Sequence, residues 1–174
     1  GRGGRPGAKL VAFDAQSLGS ARLAEGCARE RLRRPTALQA LVVGRLASPA
    51  RPHLCATVPS GAGHVALMCV AALCRVDAAY RRTQAVLSFA TREQAVSAHR
   101  LVERLATAWD GDLSAVCASD GSVVPGHMEW LSDHVVVGAA AALRSWARQG
   151  HLRMWDVQVL AVSGADVLLE AEPG

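Results

Sequence analysis

Aromatic residues make up only 4% of this 174-residue chain, and its positive charge owes almost nothing to lysine: arginine carries the net +4. Arg2, Arg5, Arg22, Arg29, Arg31, Arg33 and Arg34 crowd the first part of the chain, yet no dense basic stripe interleaved with aromatics is present. The charge therefore fits a solvated face at least as well as a nucleic-acid or acidic-protein partner. Five cysteines, Cys27, Cys55, Cys69, Cys74 and Cys117, include no CxxC pair and lie in apolar surroundings. They are expected to be reduced and buried, with no metal site. The uncharged stretch from Leu54 to Leu73 contains Pro59, Gly61, Gly63 and His64, which argues against a membrane span. No signal-peptide pattern opens the chain, and since it begins at Gly1 rather than methionine, residues upstream are expected.

What is there is a globular composition, 51% apolar and 20% charged, with length for one hydrophobic core. Gly1 to Gly7 are Gly, Arg and Pro alone, so residues 1–10 read as a flexible arm and residues 11–174 as the domain. Helical periodicity runs over Ala21 to Arg31 and Ala37 to Leu46. Strand and helix then alternate: strand His53 to Val58, helix Gly63 to Cys74, strand Ala85 to Ser88, helix Arg92 to Trp109, strand Leu113 to Ala118 and a looser helix over Val124 to Leu131. Strand His134 to Val137, helix Ala139 to Gln149 and strand Val157 to Val162 complete the pattern. Short Val- and Leu-rich runs separated by amphipathic helices imply an α/β fold, a parallel sheet covered on both faces. Ligands of such sheets bind at the carboxyl ends of the strands, so the loops after Val58, Ser88, Val137 and Val162 are the places to search.

The first of these loops, Ser60-Gly61-Ala62-Gly63-His64-Val65, has the strand-to-helix setting of a phosphate-binding loop. A working loop adds a Lys for the terminal phosphates and a Ser or Thr for magnesium, where this chain has His64 and Val65. A glycine turn that merely lets a helix start against a strand accounts for Gly61 and Gly63 about as well. Upstream, Arg34-Pro35-Thr36-Ala37-Leu38-Gln39 pairs a rigid entry with a helix-capping Thr36. Downstream, Ala90-Thr91-Arg92-Glu93-Gln94-Ala95 has the capping chemistry of a helix start.

Taken in order, these elements resemble the first RecA-like domain of a DEAD-box RNA helicase, over about Phe13 to Leu169. The resemblance rests on an aromatic residue, a Pro-Thr-x-x-Gln element, the phosphate loop, a Thr-Arg-Glu element and an Ala-Asp at the fourth motif. Its spacing resembles most the branch that acts in messenger-RNA export at the nuclear pore, as in Leu73-Cys74-Arg75-Val76-Asp77 and the Ser97 to Leu105 helix. The resemblance implies a RecA-like, P-loop type of fold. It also implies a nucleotide site at Phe13, Thr36, Gln39, Ser60, Gly61 and Gly63, with Phe13 stacking on adenine. Thr91, Arg92 and Gly121, the last within Asp120-Gly121-Ser122, would hold the RNA backbone.

The departures from the family pattern are concentrated in the chemistry. Val137-Gly138-Ala139-Ala140-Ala141 stands where the family has Gly-Thr-Pro-Gly, which leaves only backbone N–H groups for phosphate and weakens RNA binding. Val162-Ser163-Gly164-Ala165-Asp166 stands where the family has Asp-Glu-Ala-Asp, so Ser163 replaces the magnesium-organising Asp and Gly164 the water-activating Glu. Asp166 is expected to be structural, bonding to neighbouring loops. No catalytic residue is assigned, His64, Val65, Ser163 and Gly164 being degenerate positions. No cofactor is certain, and ATP or ADP would be held without turnover. The expected role is a binding or scaffold module in RNA metabolism or a ribonucleoprotein assembly, nuclear or cytoplasmic with organelles left open, with a protein partner in a larger complex. The alternative is a divergent ATP-dependent RNA helicase. Four tryptophans, Trp109, Trp130, Trp146 and Trp155, are expected to include at least two core residues, any exposed one suggesting an interface.

Overall fold

The Val135-Val136-Val137 run and the Ala85 to Phe89 run are apolar on both alternating faces, which suits strands buried on both sides. In the computed structural model, which describes residues 12–46, 53–59, 61–118 and 131–170, they form the two inner strands. The sheet has four strands, β1 (Ala85–Phe89), β2 (Ala115–Ala118), β3 (Val135–Ala139) and β4 (Val159–Val162), in the order β2-β3-β1-β4. All pairings are parallel, with Leu87 opposite Val137 on one side and Ala161 on the other. The α/β sheet read from the sequence is the fold observed.

Side chains alternate across the sheet with the strand period of two. Ala85, Leu87, Phe89, Val135 and Val137 join the larger core beneath α2 (Ala21–Arg29), α4 (His64–Leu73) and α5 (Arg92–Ala106). Val86, Val136 and Ala118 face the other way, onto Ala142, Leu143 and Trp146 of α6 (Ala140–Arg148). Three more helices flank these: α1 (Ala15–Leu18), α3 (Ala37–Leu46) and α7 (Ala165–Glu170). The Arg92 to Trp109 helix ends at Ala106 and tightens to a 3₁₀ turn over Thr107–Trp109, closed by Asp110 with φ 53°.

His53 to Val58 is not a strand. These residues pair with nothing among the described residues, and 53–57 are exposed. The buried sheet positions are held by runs apolar on both faces, whereas His53 and Thr57 interrupt this one. β4 is consequently an edge strand among the described residues, and its Leu160 and Val162 are exposed. Most of the looser helix predicted over Val124 to Leu131 lies outside the described residues.

The same departure corrects the expectation for the cysteines. Cys27 and Cys69 are buried and Cys74 and Cys117 half-buried, but Cys55 is exposed because its segment is unpaired. Burial pushes the thiols of Cys27 up to about 11 and of Cys69 and Cys74 to about 12. A thiol-specific reagent at neutral pH is therefore expected to modify Cys55 first and to leave Cys69 and Cys74 unreacted until the chain unfolds. Early labelling of Cys69 in peptide mass spectra would refute that order.

Trp109 and Trp146 belong to the two cores and Trp155 is exposed, while Trp130 lies outside the described residues.

Candidate functional site

At the entry to α3, Thr36 and Gln39 form a reciprocal cap. The Gln39 N–H donates to Thr36 Oγ1 at 3.3 Å and the Thr36 N–H to Gln39 Oε1 at 2.9 Å. Gln39 Nε2 then donates to the Gly63 carbonyl at 3.3 Å, which ties the start of α3 to the loop that opens α4. Gln39 is only 6% exposed and both ends of its side-chain amide are already engaged. The helix cap expected of Thr36 is thus present, and the same pair of side chains also reaches the loop.

Gly61 and Gly63 adopt φ of 80° and 75°, a left-handed backbone that L side chains rarely take. Gly63 is the N-cap of α4 and no side-chain hydrogen bond caps that end. His64 opens the helix, half-buried, and Val65 packs against the main core. Two left-handed glycines thus lead into α4, whose N-terminus has no side-chain cap, and Val65, where the resemblance would place the magnesium-holding hydroxyl, is an apolar contact. Ser60 and Gly121 lie outside the described residues. Phe13 is packed in the main core at 7% exposure, its N–H donating to the Arg33 carbonyl at 3.3 Å.

The loops after β1 and β4 meet. The Ser163 N–H donates to the Ser88 carbonyl at 2.9 Å, and a Cβ added to Gly164 would stand 3.0 Å from Ala90 Cβ. Gly164 itself has φ 70°, so both the backbone and its neighbour resist a side chain there. Asp166 is exposed in the first turn of α7, and the side-chain bond to a neighbouring loop expected of it is not made to any described residue. None of the six residues of α7 is buried, and only Leu168 is half-buried. No group of three His, Cys, Asp or Glu that could hold a metal ion exists among the described residues.

Thr91 caps α5, its Oγ1 accepting from the Gln94 N–H at 3.3 Å. Arg92 is exposed beside it and borders a groove of about 540 Å³ along α5, with Val96, Ser97, Arg100 and Arg104. Arg104 Nε is held by Glu30 at 2.7 Å. Burial raises the Cys117 thiol, and the Arg92 guanidinium acts against that rise. Thr36, Gln39 and Gly63 are thus gathered in one group, and Ser88, Ala90, Ser163 and Gly164 in another at the ends of β1 and β4.

Three proteins give this geometry its context. The chain is 25% identical over 141 residues to DEAD-box ATP-dependent RNA helicase 38 of Arabidopsis thaliana, and 28% identical over 145 residues to the protein of that name in Oryza sativa subsp. japonica. These matches cover 80% and 81% of the chain but 28% of either plant protein. The third is Dbp5 of S. cerevisiae. Bound to RNA and ADP BeF3 it superposes with a TM-score of 0.81 at 19% identity, covering 94% of this chain and 41% of that one.

The chain is a distant relative of the DEAD-box RecA-like domains.

A Dbp5 variant bound to a Gle1 variant and IP6 superposes with a TM-score of 0.83 at 18% identity, over 96% of this chain and 42% of that one. At such identity the likeness to solved structures shows the fold alone. No family model matches the chain. The DEAD-box-like domain spans about a quarter of the curated relatives' length, and no described helix is long and apolar enough to cross a membrane.

Two side chains that hold this domain together gave no signal in the sequence. His134 is fully buried. Its Nδ1 accepts from the Ser114 N–H at 3.1 Å, which leaves Nε2 as the donor to the Ala78 carbonyl at 3.2 Å. Gln84, also buried, accepts from the Asp77 N–H at 2.9 Å and donates to the Asp77 and Tyr80 carbonyls at 2.7 and 2.9 Å. Each lies immediately before a strand, where a lone polar residue reads as a boundary.

Proposed function

We propose that this domain is a DEAD-box-like module that binds without hydrolysing ATP, and acts as a docking or scaffold unit in RNA metabolism. The observation that carries the reading is Gly164. The resemblance places the water-activating carboxylate at this position, and here a φ of 70° and the nearby Ala90 Cβ disfavour any side chain. Val65, turned to the core, likewise offers no oxygen to a metal, and His64 replaces the lysine that would stabilise the transferring phosphoryl group. Losing one such group costs about a hundredfold to a thousandfold in rate. These losses are not additive, but together they leave negligible turnover.

Nucleotide binding survives in this reading through the bent loop, the uncapped α4 N-terminus, Thr36 and Gln39. RNA is held, weakly, through Thr91 and Arg92 with backbone N–H groups near Ala140. A protein partner in a larger assembly fits the scaffold role, as the complexes of Dbp5 with Gle1 and with RNA illustrate for that protein. A nuclear or cytoplasmic setting and a part in messenger-RNA export follow from the same likeness.

The test is phosphate release from ATP by the longest natural chain containing this sequence, with saturating RNA and magnesium, alongside calorimetry with ADP. No release above buffer, with ADP heat that Gln39→Ala abolishes, is the expected result. RNA-stimulated release that Gln39→Ala abolishes would overturn the non-catalytic reading in favour of a divergent helicase.

A further inference from the structure

Away from the carboxyl-end loops, a second cluster lies where β1 and β4 begin. Trp155 is 78% exposed and Tyr80 54%, in a chain with few aromatics. An arginine accompanies each ring: the Arg153 guanidinium lies 5.7 Å from the Trp155 centroid and that of Arg82 lies 5.2 Å from the Tyr80 centroid. Arg82 also joins the two halves, its Nη1 donating to Asp156 Oδ1 at 2.8 Å.

The cluster is built on a rigid base rather than on loose loops. Gln84 pins the Asp77–Tyr80 turn through its side chain. Its carbonyl accepts from the Gln158 N–H at 2.7 Å and the Val159 N–H at 3.1 Å, which sets the segment carrying Trp155. One buried residue thus places both aromatics.

We propose that this face takes a single strand of nucleic acid, with bases stacking on Trp155 and Tyr80 and the backbone running along the arginines. Arg81 is exposed and makes no hydrogen bond or ion pair among the described residues. Among the described residues, Arg81, Arg82 and Arg153 stand beside two carboxylates, Asp77, whose Oδ1 accepts from the Ala79 N–H, and Asp156, which is paired with Arg82. Exposed rings flanked by cations are what sequence-tolerant single-strand binding requires, since every base offers a π-face and every nucleotide a phosphate. A protein interface core, in contrast, is depleted of charge where its aromatics bury. Tyr80 and Arg82 precede β1 and Thr91 and Arg92 follow it, at the opposite end of that strand, so the inference stands apart from the RNA contacts proposed above.

The probe is a fluorescein-labelled twelve-nucleotide oligouridine, with oligodeoxythymidine as the second arm, measured by anisotropy at two salt concentrations on the intact protein. Trp155→Ala is expected to weaken binding about fivefold to a hundredfold, Tyr80→Ala similarly, and Trp155→Phe to restore part of it. Both positions are exposed, so circular dichroism should be unchanged in each variant. Affinity in both arms that falls with Arg92→Ala but not with Trp155→Ala overturns the proposal while leaving the loop contacts intact. An absence of binding in both arms overturns it as well, and returns Trp155 to the search for a protein partner.

Discussion

Replacing His134 by alanine is expected to lower the free energy of unfolding by about 3–5 kcal/mol. The imidazole is fully buried and is the shared partner of three groups, the Ser114 N–H at 3.1 Å, Ser114 Oγ at 3.2 Å and the Ala78 carbonyl at 3.2 Å. Removing it leaves a cavity and orphans a half-buried donor on Ser114 and a half-buried acceptor on Ala78, each costing up to about 1–3 kcal/mol when left unsatisfied. The ring also sits where three segments converge: its own carbonyl accepts from the Gln84 and Ala85 N–H groups, and its own N–H donates to the Ser114 carbonyl. Urea unfolding followed by circular dichroism gives the number directly. A loss below about 1 kcal/mol would mean that the surrounding turns satisfy themselves without the ring.

Gly26→Ala is expected to destabilise the domain by about 1–3 kcal/mol, although helix propensity alone would favour alanine by up to about 1 kcal/mol. The sign is decided by the approach of α2 to α5. A Cβ at Gly26 would stand 2.5 Å from the Leu105 carbonyl oxygen and 3.3 Å from its Cα. Both are backbone atoms, so no rotamer change relieves the overlap and one helix must move off the other. Ala28→Ser, on the exposed side of the same helix, should stay within about 0.5 kcal/mol of the parent. Equal stability of Gly26→Ala and the parent would show that α2 is free to shift.

The loops show most plainly how far the sequence could be read. Thr36 was legible as a helix cap because a Thr just before a helical run is a local pattern, and the cap is present, with Gln39 as its reciprocal partner. That Gln39 reaches the Gly63 carbonyl, 24 residues on, needed the packing of α3 beside α4. The strand over His53 to Val58 was read from a short apolar run, which makes a segment able to pair but does not supply the partner. The adenine-stacking role the resemblance implies for Phe13 meets a ring that packs in the core. His134 and Gln84 were invisible because a buried polar residue is identified by the distant backbone groups it satisfies.

What the sequence determined by itself is the class of the fold and which side chains are missing from the positions the resemblance assigns to catalysis. Runs such as Val135 to Val137, alternating with amphipathic helical segments, fit a parallel sheet covered on both faces, and a lysine, two acids and a hydroxyl absent from their positions are absent in any conformation. Only the tertiary structure decided which strands pair, that Gly164 stands in a left-handed conformation against Ala90, and that Tyr80 and Trp155 share one arginine-rich face. Periodicity and residue identity are local properties of the chain. Register, close backbone approach and the sharing of a surface by residues 75 positions apart are set by the long-range packing that closes the sheet.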